Sequence, residues 1–323
     1  AGMIASNWTY FNRLATFDRG TMITDYDWYS PIEVAKGVEG APLPRVSEDQ
    51  QSLEPSAIAD ALAFTSRTNS TALLIWHKGA LQFEHYGTTF SRDSRTNSAS
   101  MHKSVMALLY GVVIDEGIIP SIDEPAATYI TEWANDDRAK ITIRHLMQMN
   151  SGLGRAPFSL NPFSDTFKLM MGTDLNSIIL TYPLVDEPNT VFAYSNTNSE
   201  VLGLILERAS GMRYAELLEA KLWSKLGTRD AHLWLDGENG KARTSGGLLV
   251  TAEDWMRLGL LHLNRGQVDG QQIVPVGWMN EIITPSPTNP NYGLQTWLGT
   301  EWQELRTYGK GVPTGVPHSE DFA

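Results

Sequence analysis

The sequence contains no cysteine. Disulfides, thiolate nucleophiles and cysteine-ligated zinc are therefore excluded together. The redox compartment stays open, because a chain without thiols suits either side. No apolar run approaches the roughly 18 residues that a bilayer-spanning helix needs. Basic residues are few: 25 Lys and Arg stand against 37 Asp and Glu, a formal charge of −12 with no Lys/Arg tract. Such a surface repels phosphate backbones and anionic lipid, so neither nucleic acid nor membrane is expected as a partner. The opening Ala1-Gly2-Met3-Ile4 has no basic stretch followed by an apolar one. A signal peptide is thus expected to be absent or already removed. Several catalytic signatures are missing as well. There is no Gly-x-Ser-x-Gly elbow, no His-Glu-x-x-His pair and no phosphate-cradling glycine loop. These absences argue against α/β-hydrolase, zinc-protease and P-loop chemistry. No cofactor and no metal is expected.

What remains is an ordinary globular composition, 42% hydrophobic and 19% charged over 323 residues. That length can bury one large core or two subdomains sharing one. Residues 1 to about 55 carry turns, aromatics and prolines (Pro31, Pro42, Pro44, Pro55) and read as an irregular leading segment. Ser56 to about Thr65 has helical spacing. Thr71–His77 and Ala80–Tyr86 are β-rich around Lys78-Gly79, which predicts a hairpin. From about 101 to 227 helical patterns dominate, with Gly117, Gly211 and Gly227 as stops. Helices are expected over Val105–Asp115, Ile143–Met149, Asn198–Arg208 and Tyr214–Leu226. After Gly246-Gly247 come Ala252–Asn264 and a helix opened by Pro275, and Tyr292–Leu298 fits a strand. The order predicts an α+β fold, an antiparallel β-sheet flanked by helices with an inserted all-α domain. Residues 1–100 and 228–323 would form the α/β part, and 101–227 the helical domain.

The chemistry sits at the boundary between the two. Ser100-Met-His-Lys103 is the only Ser-x-x-Lys in the chain. Residues i and i+3 share a helix face, so the hydroxyl and the amine can meet. In a first turn, the backbone N–H of Ser100 and the helix dipole favour a developing oxyanion. A serine hydroxyl needs a base, and a neutral lysine can be one. Holding a lysine neutral at pH 7 takes roughly 4–5 kcal/mol from burial and neighbours. Alone, the spacing equally fits a capping serine and a surface lysine. The second feature is Tyr194-Ser195-Asn196, in a loop just before a predicted helix. A phenol beside a cationic lysine can share its proton. Asn196 can donate its amide to a substrate carbonyl or offer its oxygen to Lys103. A packed tyrosine in a polar turn would look the same. His102 points to another helix face and reads as a bystander.

Together these features resemble the penicillin-recognising serine enzymes: class C β-lactamases, DD-peptidases, family VIII esterases and nylon-oligomer hydrolases. Glu116-Gly-Ile-Ile, Ile141 to Leu153 (with Asn150-Ser-Gly-Leu153) and Thr244-Ser-Gly-Gly247 through Trp255 look like further segments of these families. Tyr292 to Trp297 looks like the strand leading to their third motif. The resemblance covers about residues 55–300, in the families' order. It implies a β-lactamase/transpeptidase-like fold, with Ser100 as nucleophile, Lys103 as base, Tyr194 as its partner and Asn196 as substrate-amide contact. It also implies an acyl-enzyme formed from a small-molecule ester, amide or β-lactam, with esters and small amides favoured. A periplasmic or secreted location is slightly favoured over a cytoplasmic one.

The resemblance fails at the third motif, a Lys-Thr-Gly or His-x-Gly triplet on a core strand that supplies the second oxyanion donor. Lys310-Gly311-Val312, Pro313-Thr314-Gly315 and His318-Ser319-Glu320 are near the right place, but none sits in an apolar β run. The expectation is therefore that C-terminal core strands are missing from this chain. A longer protein, or a second polypeptide, would then complete the sheet. A penicillin-binding-like acylated sensor or a catalytically inactive binding scaffold is the alternative to a hydrolase. The aromatics near Trp8, Trp28, Trp297 and Trp302 are candidates for lining an apolar pocket.

Overall fold

The computed structural model describes residues 7–18, 28–156, 159, 161–299, 305–307 and 311–313. The leading segment is more ordered than its prolines suggest. It holds helix α1 (Trp8–Thr16) and strand β1 (Ile32–Ala35). Helix α2 (Pro55–Thr68) follows, with Pro55 at its first turn, where a missing N–H costs little. Strands β2 (Ala72–His77) and β3 (Ala80–Tyr86) form the expected hairpin. Lys78 and Gly79 both have positive φ (50° and 83°), as a two-residue turn matching the strand twist requires. Strand β4 (Arg95–Asn97) then leads into helix α3 (His102–Asp115).

The helical stretch continues with α4 (Ile143–Met147), α5 (Asp165–Met171), α6 (Leu175–Ile179), α7 (Asn196–Ser210) and α8 (Tyr214–Lys221). Strands β5 (Ala231–Trp234) and β6 (Leu248–Thr251), helix α9 (Ala252–Leu263), short strands β7 (Gln267–Val268) and β8 (Gln271–Gln272), and helix α10 (Val276–Ile282) come next. Strands β9 (Leu305–Thr307) and β10 (Gly311–Pro313) pair with each other. The four-stranded sheet has the order β1-β5-β6-β4 and is antiparallel throughout. This is the α+β class. The expectation about missing C-terminal core strands falls largely on residues outside those described, as do Lys310, Thr314, Gly315 and His318-Ser319-Glu320.

Helix α3 is the axis of the core. From Val105 to Val113 every side chain is buried, the pattern of a helix surrounded on all sides. Trp278 of α10 lies so close to α3 that a Cβ on Gly111 would come within 2.2 Å of its ring. Glycine is therefore required there. The Trp278 indole N–H donates to the Ala107 carbonyl at 2.8 Å.

One expected strand is absent. Tyr292–Leu298 folds into a tight turn closed by a Tyr292–Trp297 bridge, with Gln295 at φ 52°. The Gly293 N–H closes the turn onto the Thr296 carbonyl, and the Gln295 side chain bonds to helices instead of a sheet neighbour. The Gln295 amide donates to the Leu146 and Met147 carbonyls, and its side-chain oxygen accepts from Ser199. A polar residue at the centre of an apolar run thus plugs the space between α4 and α7.

Candidate active site

Strand pairing places Ser100. The Ser98 N–H donates to the Leu248 carbonyl of β6, and the Asn97 side chain accepts from Ala99 N–H. These bonds hold Ala99 at φ 46°, an uncommon conformation for a non-glycine residue and one that recurs at functional turns. Ser100 follows in a short 3₁₀ turn, Ala99–Met101, that runs directly into α3. Gly246 packs against the same turn, where a Cβ would lie 3.2 Å from the Ala99 carbonyl oxygen.

Lys103 is 1% exposed, in the first turn of α3. Its Nζ lies 3.1 Å from Ser100 Oγ, 2.9 Å from Asn196 Oδ1 and 2.6 Å from the Ser245 carbonyl oxygen. Burial pulls its pKa down to about 7, against an opposing pull from Glu200. Tyr194 meets the lysine through its ring, whose centroid lies 5.2 Å from Nζ. That ring stacks on Trp297 at 5.7 Å. The turn plugged by Gln295 therefore also braces Tyr194. Asn196 opens α7, after Ser195 as N-cap. The Asn196 oxygen accepts from Lys103, which leaves the amide nitrogen for other partners. All four residues singled out in the sequence are thus brought together.

Three further residues complete the arrangement: Ser245 and Glu200, whose parts the sequence reading did not foresee, and His102. Ser245 presents its backbone carbonyl to Lys103, and only the adjoining Gly246-Gly247 hinted at a special backbone there. Glu200 sits one helical turn beyond Asn196 and is 4% exposed. It accepts from the N–H groups of Thr244 and Ser245, 3.0 and 3.1 Å, and from their hydroxyls. His102 faces away from Ser100 yet is more than a bystander. It is fully buried, with Nδ1 at 2.8 Å from the Gly246 carbonyl and 3.1 Å from that of Arg243. Two carbonyls require a proton on Nδ1, so Nε2 accepts from the Tyr214 hydroxyl at 3.0 Å. Burial lowers its pKa to about 4, which keeps it neutral.

A cavity of about 370 Å³ opens over Ser100. Its walls include Leu169, Met170, Trp234, Tyr194, Asn196 and Arg155. The aromatic walls are therefore Trp234 and Tyr194, with Trp28 packed behind the first at 5.2 Å and Trp297 stacked on the second, while Trp8 is exposed. Trp302 lies outside the described residues. The wall formed by α5 is fixed from below by two buried arginines. Arg243 donates to the Leu169 and Gly172 carbonyls, and Arg13 of α1 to those of Met171, Gly172, Leu235 and Asp236. Among the described residues no cluster of His, Asp and Glu could hold a metal ion, and no helix is long and apolar enough to cross a membrane.

Known proteins share this architecture. A 6-aminohexanoate-dimer hydrolase of Paenarthrobacter ureafaciens is 28% identical over 249 residues, covering 71% of this chain and 63% of that protein. Esterase EstB of Burkholderia gladioli is 26% identical over 193 residues, covering 56% and 48%. The chain thus spans less than two thirds of the length of either relative. Among solved structures, one from Bacillus anthracis, assigned provisionally as a 6-aminohexanoate-dimer hydrolase, superposes with a TM-score of 0.71. It shares 21% identity and covers 88% of this chain and 81% of its own. The family described as Beta-lactamase matches residues 56–317, a span that includes Ser100, Lys103, Tyr194 and Asn196. Because that match takes in most of the chain, the protein belongs to the beta-lactamase family.

Proposed function

We propose that the protein is a serine hydrolase that acts through an acyl-enzyme on a carboxylic ester or small amide. The observation that carries this reading is the coordination of Lys103. Two of its three neighbours, Asn196 Oδ1 and the Ser245 carbonyl, can only accept. In a neutral amine they consume both hydrogens, and the remaining lone pair faces Ser100 Oγ at 3.1 Å. That is the geometry of a general base within reach of its proton. In the charged amine the third hydrogen points at the same oxygen, ready to be returned.

The step then balances within the site. The Ser100 proton moves to Lys103 Nζ as Oγ bonds to the carbonyl carbon, and the carbonyl π pair moves onto its oxygen. The Ser100 N–H, in the turn that opens α3, donates to that oxyanion. Collapse breaks the ester or amide bond, and the leaving group takes the proton from Lys103 with Tyr194 as partner. Water repeats the sequence on the acyl-enzyme and releases the acid. Asn196 offers its amide N–H to the substrate, and Leu169, Met170 and Trp234 suit an apolar flank. Relatives named as a 6-aminohexanoate-dimer hydrolase and as an esterase support this reading.

The test is turnover of p-nitrophenyl butyrate and a p-nitroanilide. Multiple turnovers are expected, with a loss of about 10³-fold or more in Ser100→Ala. Equal rates in the two proteins would overturn the reading. A single-turnover burst that leaves Ser100 acylated would favour the acylated sensor.

A further inference from the structure

We propose that Glu200 is a positioning residue for Lys103: it fixes the Ser245 carbonyl that receives the lysine's hydrogen, and supplies the buried counter-charge. The inference rests on the hydrolase reading above.

Four donors converge on the Glu200 carboxylate: the N–H and hydroxyl of Thr244 and of Ser245. Each carboxylate oxygen takes one backbone N–H. A glutamine would aim its own NH₂ at one of them and leave a buried donor unmatched, so an acceptor-only group is required. The strap continues through Ser245, whose carbonyl lies 2.6 Å from Lys103 Nζ. His102 holds the next carbonyl, Gly246, from the opposite side. The 244–247 segment is therefore clamped between α7 and α3, with the lysine contact in its middle.

Charge points the same way. Around Lys103, His102 is neutral, and Tyr214 is held protonated by burial. Arg243 in the pocket wall is committed to the Leu169 and Gly172 carbonyls, while Arg155 is exposed. Tyr194 faces the lysine with its ring. On the far side of Glu200, a water-sized cavity of about 10 Å³ is lined by Glu207 and Lys241, which pair with each other. Glu200 is thus the acidic group in the pocket wall and the one that favours protonated Lys103.

The test follows the rate at which a fluorophosphonate labels Ser100 between pH 5 and 9. In the wild type the rate should rise with pH as Lys103 loses its proton. Glu200→Gln removes the negative charge, so the acid limb should move down by about one pH unit. Its plateau should fall about ten-fold or more, because the Ser245 carbonyl shifts. Glu200→Asp keeps the charge but shortens the strap, so its plateau should fall with the limb unmoved. A Gln variant whose limb stays or rises overturns the proposal, as does an Asp variant whose limb falls equally. If the Gln variant does not fold, by its far-UV spectrum, the Asp variant decides, and a wild-type plateau there overturns the proposal. A wild type that never labels removes the nucleophile itself and this inference with it; labelling with insensitive Glu200 variants removes only the inference.

Discussion

At the candidate site three oxygens, Ser100 Oγ, Asn196 Oδ1 and the Ser245 carbonyl, lie within 3.1 Å of Lys103 Nζ. A hydroxyl and an amine three residues apart on a helix meet by geometry alone, so Ser100 and Lys103 were legible in the sequence. Ser245 was not legible, since its contribution is a backbone carbonyl, which no side-chain pattern encodes. Glu200 and His102 were hidden differently: their partners are main-chain groups far away in sequence. His102 yields a stability prediction. Its folded pKa of about 4 lies below the ordinary 6.5. Between those values the unfolded chain binds a proton that the folded one does not. Stability should therefore fall as pH drops from about 6.5 towards 4, by about 3 kcal/mol if the shift is fully expressed. Urea midpoints at pH 7, 5.5 and 4.5 should fall less steeply in His102→Gln than in the wild type. Parallel curves would show that His102 does not contribute.

Helices with apolar periodicity, α2, α3, α7, α8 and α9, were all visible in the sequence, and so was the β2–β3 hairpin around Lys78-Gly79. The short strands β1, β4 and β5 were not, because three or four paired residues carry too little alternation to register. Helix α1 was missed for another reason: beside Tyr10, which packs on Phe167 and Met171, it is anchored by a buried charged side chain that sequence patterning assigns to the surface. Arg13 donates to carbonyls at the end of α5 and after β5, and burial lowers its pKa to about 10, still protonated at neutral pH. In effect it caps the C-terminus of α5, whose last carbonyls lack partners within the helix. Arg13→Ala should leave several of these carbonyls unmatched and cost about 3 kcal/mol or more. Arg13→Lys, with fewer and differently directed donors, should recover only part of that loss. Denaturant midpoints check both, and an alanine variant equal to the wild type would mean that α1 is not a structural part of the pocket wall.

Across the whole molecule, one apolar cluster runs from Leu233, Leu248 and Val250 of the sheet, through Met106 and Leu109 of α3, to Ile143, Leu146 and Trp133. The cavity lies where sheet and helices meet, so each supplies part of the chemistry. The turn between β4 and α3 brings Ser100 and Lys103, the start of α7 brings Asn196 and Glu200, and the 244–247 turn brings the carbonyl. The central claim is that this convergence turns Ser100 into a nucleophile. Incubation with a fluorophosphonate, followed by intact mass and peptide mapping beside Ser100→Ala, tests it most directly. One adduct is expected, on Ser100, absent from the variant. An unlabelled protein, or an adduct that persists in Ser100→Ala, would contradict it.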